Sequence, residues 1–149
     1  TDIKGYSHPL GESALAFMAA PALAARLIGE FPACLDGARL LLPGRDSALH
    51  GALPRWLERQ GRHMRIVGEF DDSALMKAFG EAGAGVFPAP AASVPDVMAH
   101  YKVVSLGETE DLRERFFLIS AERRLTHPAA RAVSEHARAG LFAPTRSAA

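Results

Sequence analysis

Along this sequence, short runs of consecutive apolar residues alternate with segments whose apolar residues recur at helical spacing. That alternation restricts the folds that the chain can adopt. The run SALAFMA, residues 13–19, is apolar at successive positions and too short for a buried helix, so it predicts a strand buried on both faces. ARLLLP, residues 38–43, predicts a second buried strand that ends at a Pro-Gly turn. The next apolar side chains recur at i, i+4, i+7 and i+8 and predict an amphipathic helix whose buried face holds Leu49, Leu53, Trp56 and Leu57.

The remaining sequence continues the same alternation. Further strands are predicted at 64–70, 85–90, 102–106 and 113–120. Further helices are predicted at 21–27, along the stripe Leu75, Met76, Phe79 and Ala82, at 94–101, and from Pro128, with Thr126 as cap, to Gly140. Strands that alternate with helices predict an α/β fold with a mainly parallel sheet covered on both faces.

In such a sheet, ligands bind beyond the carboxyl ends of strands, where helix N-termini present free amides. This rule selects two loops, PGRDSA at 43–48 and FDDSA at 70–74. In the first loop, Arg45, Asp46 and Ser47 would suit a small anion or polar ligand through a guanidinium, a hydroxyl and backbone amides. A plain turn capped by Asp46 or Ser47 explains the same residues equally well.

The acids and glycines that follow have competing interpretations. Asp71 and Asp72 could form a carboxylate pair for acid-base or metal chemistry, but consecutive acids at a helix start also complement the helix dipole. Glycines 80, 83 and 85 resemble a dinucleotide fingerprint only superficially, because they close a helix where that motif opens one. We therefore expect Gly83 or Gly85 to form a left-handed helix C-cap, and we expect no metal and no cofactor.

Composition excludes several classes of function. Lysine plus arginine equals aspartate plus glutamate at 17 each, so this chain offers no net charge to attract nucleic acid or anionic membrane. The longest apolar run, 13–25, is interrupted by Pro21 and is too short to span a membrane. The single cysteine, Cys34, is either a small apolar filler or a nucleophile, and Trp56 belongs either to the core or to a subunit interface. No nucleophile, histidine and acid set is visible, so an enzyme is not expected.

Longer strings of residues carry a resemblance to a known family. GEFDDSALMKAFGEAGAGVFPAP, residues 68–90, resembles the second half of the effector-binding domain of LysR-type transcriptional regulators, in which a glycine, any residue, a glycine, an apolar run and a proline follow a helix. Four strings are similar to the NhaR subgroup, which regulates sodium-proton antiporter genes: GESALAF, FPACLDGARLLLPGRDSAL, GEFDDSALMKAFG and AERRLTHPAARAV. The resemblance extends from about residue 11 to about residue 142.

This resemblance implies a periplasmic-binding-protein-like effector domain of type 2, with two α/β lobes and the effector in the cleft between them. Residues 1–20 would be the remnant of the first lobe with a crossover strand, 21–115 the second lobe, and 116–149 the return strand and the last helix. The chain would thus hold one complete lobe and part of the other. The winged helix-turn-helix that binds DNA would lie upstream and be absent from this chain.

The resemblance also implies a function, that of an effector-sensing domain in a cytoplasmic DNA-binding activator that forms dimers or tetramers. The candidate effector site is Arg45, Asp46, Ser47, Asp72 and Ser73. The subgroup's signal is linked to sodium or lithium, yet Asp46, Asp71 and Asp72 are only loose candidates for cation ligands. The alternatives are a solute-binding lobe of a periplasmic-type protein and a small-molecule enzyme on the same fold.

Overall fold

A computed structural model of the chain describes residues 5–120 together with 128, 131, 132 and 135. The elements, in chain order, are β1 (Tyr6–Ala19), α1 (Pro21–Ala24), β2 (Arg39–Pro43), α2 (Leu49–Arg59), β3 (Arg65–Phe70), α3 (Ser73–Glu81), β4 (Phe87–Pro90), α4 (Val94–His100) and β5 (Val104–Ser120). Short 3-10 helices lie at Ala33–Leu35 and Ala91–Ser93. Strands and helices alternate from β2 to β5, as the sequence predicts.

The strands form two hydrogen-bonded groups, one with the order β4, β1, β5 and one with β2 beside β3. A single bridge beside β4 connects the two groups, so the overall order is β3, β2, β4, β1, β5. β2 and β3 are parallel, with Arg39 opposite Arg65 and Pro43 opposite Phe70. A parallel bridge from Leu40 to Val86 continues this pairing toward β4. β1 runs antiparallel to β4, so the sheet is mixed, and the parallel arrangement expected from the sequence applies to β2, β3 and the start of β4.

β1 is buried on both of its faces, which confirms the prediction made from its continuous apolar run. Leu15, Phe17 and Ala19 belong to one hydrophobic cluster, whereas Ala16 and Met18 belong to another. All five side chains are fully buried. Because side chains alternate across a strand, this pattern requires cover on both faces of the sheet.

On one face, α2 provides that cover with the predicted stripe of Leu49, Leu53, Trp56 and Leu57, all buried. The Trp56 ring stacks on Phe17 at 5.6 Å and on Phe31 at 6.4 Å between centroids. Its Nε1 donates to Asp111 Oδ2 over 3.1 Å, which gives the buried indole nitrogen an acceptor. Trp56 is therefore a core residue, and α2 continues through Pro54 without interruption.

On the other face, α3 buries a narrower surface than its sequence stripe predicts. Met76 and Gly80 are buried, whereas Leu75 and Phe79 are 48% and 47% exposed. The reason is the close approach of the helix backbone at Gly80, because a Cβ there would overlap the ring of Phe87. This contact turns Met76 and Gly80, four residues apart, toward the sheet.

α3 ends as predicted, at a left-handed glycine. Gly83 has φ +86°, its N–H donates to Gly80 O over 3.0 Å, and Ala84 N–H donates to Phe79 O over 3.1 Å. These two bonds form a Schellman motif, which satisfies carbonyls that the helix end leaves free. The glycine pattern is thus a helix terminus followed by a strand.

Two predicted elements need correction, and the bounds of a third stay predictions. The strands expected at 102–106 and 113–120 form one strand, Val104–Ser120, because the polar residues between them alternate with inward-facing ones such as buried Leu112 and do not break the strand. The helix expected at 21–27 ends at Ala24. Residues 128, 131, 132 and 135 of the predicted last helix are helical and exposed, and its remaining residues, including the predicted cap at 126 and stop at 140, lie outside the described residues.

The chain divides into two compact units. One consists of residues Ala14–Arg113, and the described residues outside that range belong to the other. In the second unit, Arg115 Nε and Glu12 Oε1 form an exposed ion pair at 3.4 Å. The first unit contains both hydrophobic clusters, so it holds the described core.

The contact between Gly80 and Phe87 predicts opposite results for two helical glycine substitutions. Gly80→Ala should destabilise the chain by about 1–3 kcal/mol, because the added methyl group overpacks against a fully buried ring. Gly51→Ala in α2 meets only the guanidinium end of Arg55, which can move, so it should stabilise the chain by up to about 1 kcal/mol. Urea unfolding followed by the fluorescence of the single tryptophan measures both, and equal effects would contradict this packing.

Candidate functional site

The two loops selected from the sequence lie side by side. β2 and β3 are parallel and end opposite one another at Pro43 and Phe70. Just beyond this pair, Gly44 N–H donates to Phe70 O over 2.8 Å. The loops that follow β2 and β3 therefore leave the same edge of the sheet, which is where open α/β sheets bind ligands. We call residues 44–47 and 71–73 the strand-end loops.

The tightest approach between the strand-end loops is that of Asp71 to Gly44. A Cβ at position 44 would overlap the Asp71 carboxylate and would also lie 3.4 Å from Phe70 O. A side chain at position 44 would displace the Asp71 carboxylate from its position. Glycine at position 44 therefore leaves room for this carboxylate beside the loop that contains Arg45.

Ser47 lies just before α2, whose N-cap is Ala48 and has no side-chain capping bond. Ser47 Oγ accepts a hydrogen bond from Leu49 N–H over 3.2 Å, and its carbonyl accepts one from His50 N–H over 3.1 Å. Neither Asp46 nor Ser47, the two caps predicted from the sequence, is therefore the N-cap residue. Arg45 and Asp46 are exposed, and neither has an ion pair or hydrogen bond with the part of the chain that the structure describes.

Asp72 caps α3. Its Oδ1 accepts from Ala74 N–H over 2.9 Å and from Leu75 N–H over 3.4 Å, and its backbone is extended at φ −101° and ψ 112°. This arrangement is that of an N-cap, which satisfies amides that have no partner in the helix. Ser73 is the first helical residue and is exposed. The two consecutive acids therefore have different environments, one at the cap and one beside Gly44.

A side-chain contact next to the strand-end loops was not predicted from the sequence. His50 Nε2 lies 3.2 Å from Glu69 Oε1, joining the first turn of α2 to the end of β3. The histidine side chain is 29% exposed and the glutamate 51%. The two residues are 19 positions apart and no motif links them, so only the register of β2 against β3 brings them together.

Two ionisable groups elsewhere have shifted pKa values. Burial raises the pKa of the Cys34 thiol, an effect that a backbone hydrogen bond partly offsets. A higher thiol pKa leaves less thiolate, so the filler interpretation of Cys34 is the better supported one. Burial also raises the pKa of Glu114 on β5.

Neither a metal site nor a membrane span emerges from the described part of the chain. Within residues 5–120 and the four later described positions, no group of three or more His, Cys, Asp or Glu side chains could hold a metal ion. Asp46, Asp71 and Asp72 are thus not assembled into such a group. No helix in the same residues is long and apolar enough to cross a membrane.

Comparisons with known proteins relate the chain to one family. The model of the LysR substrate binding domain matches residues 4–141. The transcriptional activator protein NhaR of Escherichia coli (strain K12) is 44% identical over 114 residues, which are 76% of this chain and 38% of NhaR. NhaR of Shigella flexneri matches to the same extent. The chain therefore spans well under half the length of these relatives.

Solved structures have the same fold. The AmpR effector binding domain from Citrobacter freundii superposes with a TM-score of 0.62 at 23% identity, over 92% of this chain and 68% of that domain. Vibrio fischeri DarR in complex with DNA superposes with a TM-score of 0.59 at 20% identity, over 93% of this chain and 48% of DarR. At these identities the likeness concerns the fold alone.

The capping bonds predict that the two neighbouring acids differ in their effect on stability. Asp72→Ala should lower the free energy of unfolding by about 1 kcal/mol, because two amides of α3 lose their acceptor. Asp71→Ala, which removes no cap, should change it by less than about 0.5 kcal/mol. Asp72→Asn is the control, since asparagine caps equally well, and a full loss of stability in that variant would show that the charge rather than the cap matters. Urea unfolding measures all three.

Proposed function

The chain belongs to the LysR substrate-binding domain family, and from this premise we propose that it is the effector-sensing part of a DNA-binding transcriptional activator similar to NhaR. In this proposal, residues 1–20 are the remnant of a first lobe with a crossover strand, residues 21–115 are the second lobe, and residues 116–149 return to the first. The relatives that match over most of this chain are named as transcriptional activators, which supports regulation rather than catalysis.

The observation that most supports an effector site is the position of the strand-end loops. They follow two adjacent parallel strands and present Arg45, Asp46 and Ser73 to solvent. Such an edge combines free side-chain donors and acceptors with the start of two helices. We propose that Arg45, Asp46, Ser47, Asp72 and Ser73 contact the effector.

The charges at this edge favour a particular kind of effector. The strand-end loops contain one guanidinium, at Arg45, and three carboxylates, at Asp46, Asp71 and Asp72, so their formal charge is −2. A polyanion would be repelled by this surplus, whereas a polar molecule or one that carries a positive group would be attracted. A cationic signal, as in the sodium response of the NhaR subgroup, is consistent with this sign.

In the complete protein, effector binding would shift a conformational equilibrium. A ligand that contacts the strand-end loops more strongly in one conformation favours that conformation by its difference in affinity. The change would be passed to DNA-binding heads on a cytoplasmic dimer or tetramer.

The neutral charge of the chain predicts where DNA binding resides. The full-length protein should bind promoter fragments of its own genome specifically, whereas this chain alone should not, because it carries no net positive charge to release counterions from phosphate. Fluorescence anisotropy at several salt concentrations compares the two proteins on the same fragment and on a scrambled duplex. Specific binding by the 149-residue chain alone would overturn this part of the proposal.

A second prediction concerns effector recognition in the full-length protein. Arg45→Gln should lower the concentration of sodium or lithium chloride that gives half-maximal reporter induction by up to about fivefold, because it removes a positive charge whose repulsion of a cation is worth about 1 kcal/mol at an exposed site. Potassium chloride at equal concentration controls for ionic strength. Arg59→Gln, on the last turn of α2, is the matched exposed arginine and should respond like the parent.

The same assay can show that the effector does not bind at the strand-end loops. A normal response in a variant that combines Asp46→Asn with Ser47→Ala and Ser73→Ala, which removes a charge and two oxygens that would attract a cation, would exclude the strand-end loops. That outcome would leave the DNA-binding prediction untouched, so the two parts of the proposal fail independently.

A further inference from the structure

The hydrogen bond between Trp56 and Asp111 joins the buried face of α2 to β5. Trp56 is almost fully buried, whereas Asp111 is an exposed residue of β5. The indole Nε1 donates to Asp111 Oδ2 over 3.1 Å, and a carboxylate is a stronger acceptor than a neutral oxygen. Loss of the carboxylate would leave a buried donor without its acceptor, so this bond holds α2 against β5.

Apolar contacts hold the same stretch of β5 to the cluster around Trp56. Gly107 approaches Phe31 so closely that a Cβ at position 107 would overlap that side chain. Phe31 in turn stacks on Trp56, and Leu112 is buried in the same cluster. Apolar contacts are non-directional, whereas a hydrogen bond needs its donor and acceptor in one geometry. Of these contacts, the bond to Asp111 is therefore the one that defines where Trp56 lies along β5.

The opposite end of α2 is attached to the first of the strand-end loops. Leu49, the first residue of α2, lies roughly 10 Å along the helix axis from Trp56. Leu49 N–H donates to Ser47 Oγ over 3.2 Å, and His50 N–H donates to Ser47 O over 3.1 Å. Ser47 directly follows residues 45 and 46. A displacement of α2 therefore moves the loop that contains three of the five proposed effector residues.

β5 continues beyond the compact unit to which α2 belongs. That unit ends at Arg113, two residues after Asp111, and β5 extends to Ser120. The strand that is bonded to α2 is thus also the strand that leaves the unit. Coupling between two sites is reciprocal, so a ligand that displaces α2 also changes the bond between Trp56 and Asp111.

We propose that Asp111 is a positioning residue for the effector site. Its bond to Trp56 fixes α2, and with it the loop of Arg45, Asp46 and Ser47, relative to the strand that leaves the unit. This inference rests on the proposed function for the identity of the site. The coupling between position 111 and the first strand-end loop is present without any effector, so it can be measured by itself.

Hydrogen exchange of the ¹⁵N-labelled 149-residue chain tests this coupling. Asp111→Ala should make the amides of His50 and Ala52, at the start of α2, exchange about fivefold faster, because loss of one hydrogen bond favours local opening of the helix. The amide of Met76 in α3, on the other face of the sheet, should exchange at the parental rate. Trp56→Phe, which removes the donor but keeps an aromatic ring, should give the same pattern.

Two controls separate positioning from overall stability. Asp111→Asn keeps an oxygen acceptor and should retain most of the protection at His50. Glu110→Ala removes the neighbouring exposed acid, which pairs with Arg113, and should leave His50 unchanged. Equal acceleration at His50 and Met76 in Asp111→Ala would reveal general destabilisation, and parental exchange at His50 would reveal no coupling. Either result overturns the proposal.

Reporter induction by the full-length protein separates this inference from the proposed function. Asp111→Ala should raise the sodium chloride concentration for half-maximal induction by about fivefold, because a loop that is no longer held in place must be ordered by the ligand. Glu110→Ala, which removes the same charge one position away, should respond like the parent. Absence of induction in the parent contradicts the proposed function, whereas a parental response in Asp111→Ala contradicts the positioning role.

Discussion

The burial of β1 on both faces is the constraint on which the rest of the described structure depends. A strand whose successive side chains are all apolar exposes hydrophobic surface on whichever side is left bare. Phe17 on one side requires α2, which supplies Trp56, and Met18 on the other belongs to the cluster that α3 completes with Met76. The two helices lie on opposite faces because consecutive residues of one strand need separate partners.

The positions of the helices in turn determine where the polar residues gather. Each helix must leave the carboxyl end of a parallel strand and return along the sheet, so the turns after β2 and β3 meet at one edge. Because Gly44 has no side chain, the Asp71 carboxylate of the second turn can lie directly against the backbone of the first. The opposite edge receives the C-terminal end of α2, which a left-handed turn at Gly61 closes. The positions of both ends of α2 are thus consequences of the same strand-helix geometry.

Much of this arrangement could be predicted from the sequence, because the spacing of apolar residues reflects which side chains are buried. The stripe of α2 is buried at all four predicted positions, and Gly83 ends α3 as expected. Features that depend on tertiary contacts could not be read in this way. The exposure of Leu75 and Phe79 follows from the approach of Gly80 to Phe87, and the antiparallel entry of β1 has no local signal. The pairing of His50 with Glu69 depends on strand register alone.

The candidate effector residues show why a role in folding and a role in binding must be separated before either is assigned. Asp72 and Ser47 already accept hydrogen bonds from helix amides, so a ligand that takes their oxygens must compete with these bonds. Arg45 and Asp46 have no such commitment among the described residues, and Ser73 lies at the helix start without acting as its cap. A ligand can therefore gain most from Arg45, Asp46 and Ser73, because binding to them costs no existing bond. In this proposal, Asp72 then contributes chiefly by fixing the start of α3, where Ser73 lies, and Ser47 by bonding to the first amide of α2.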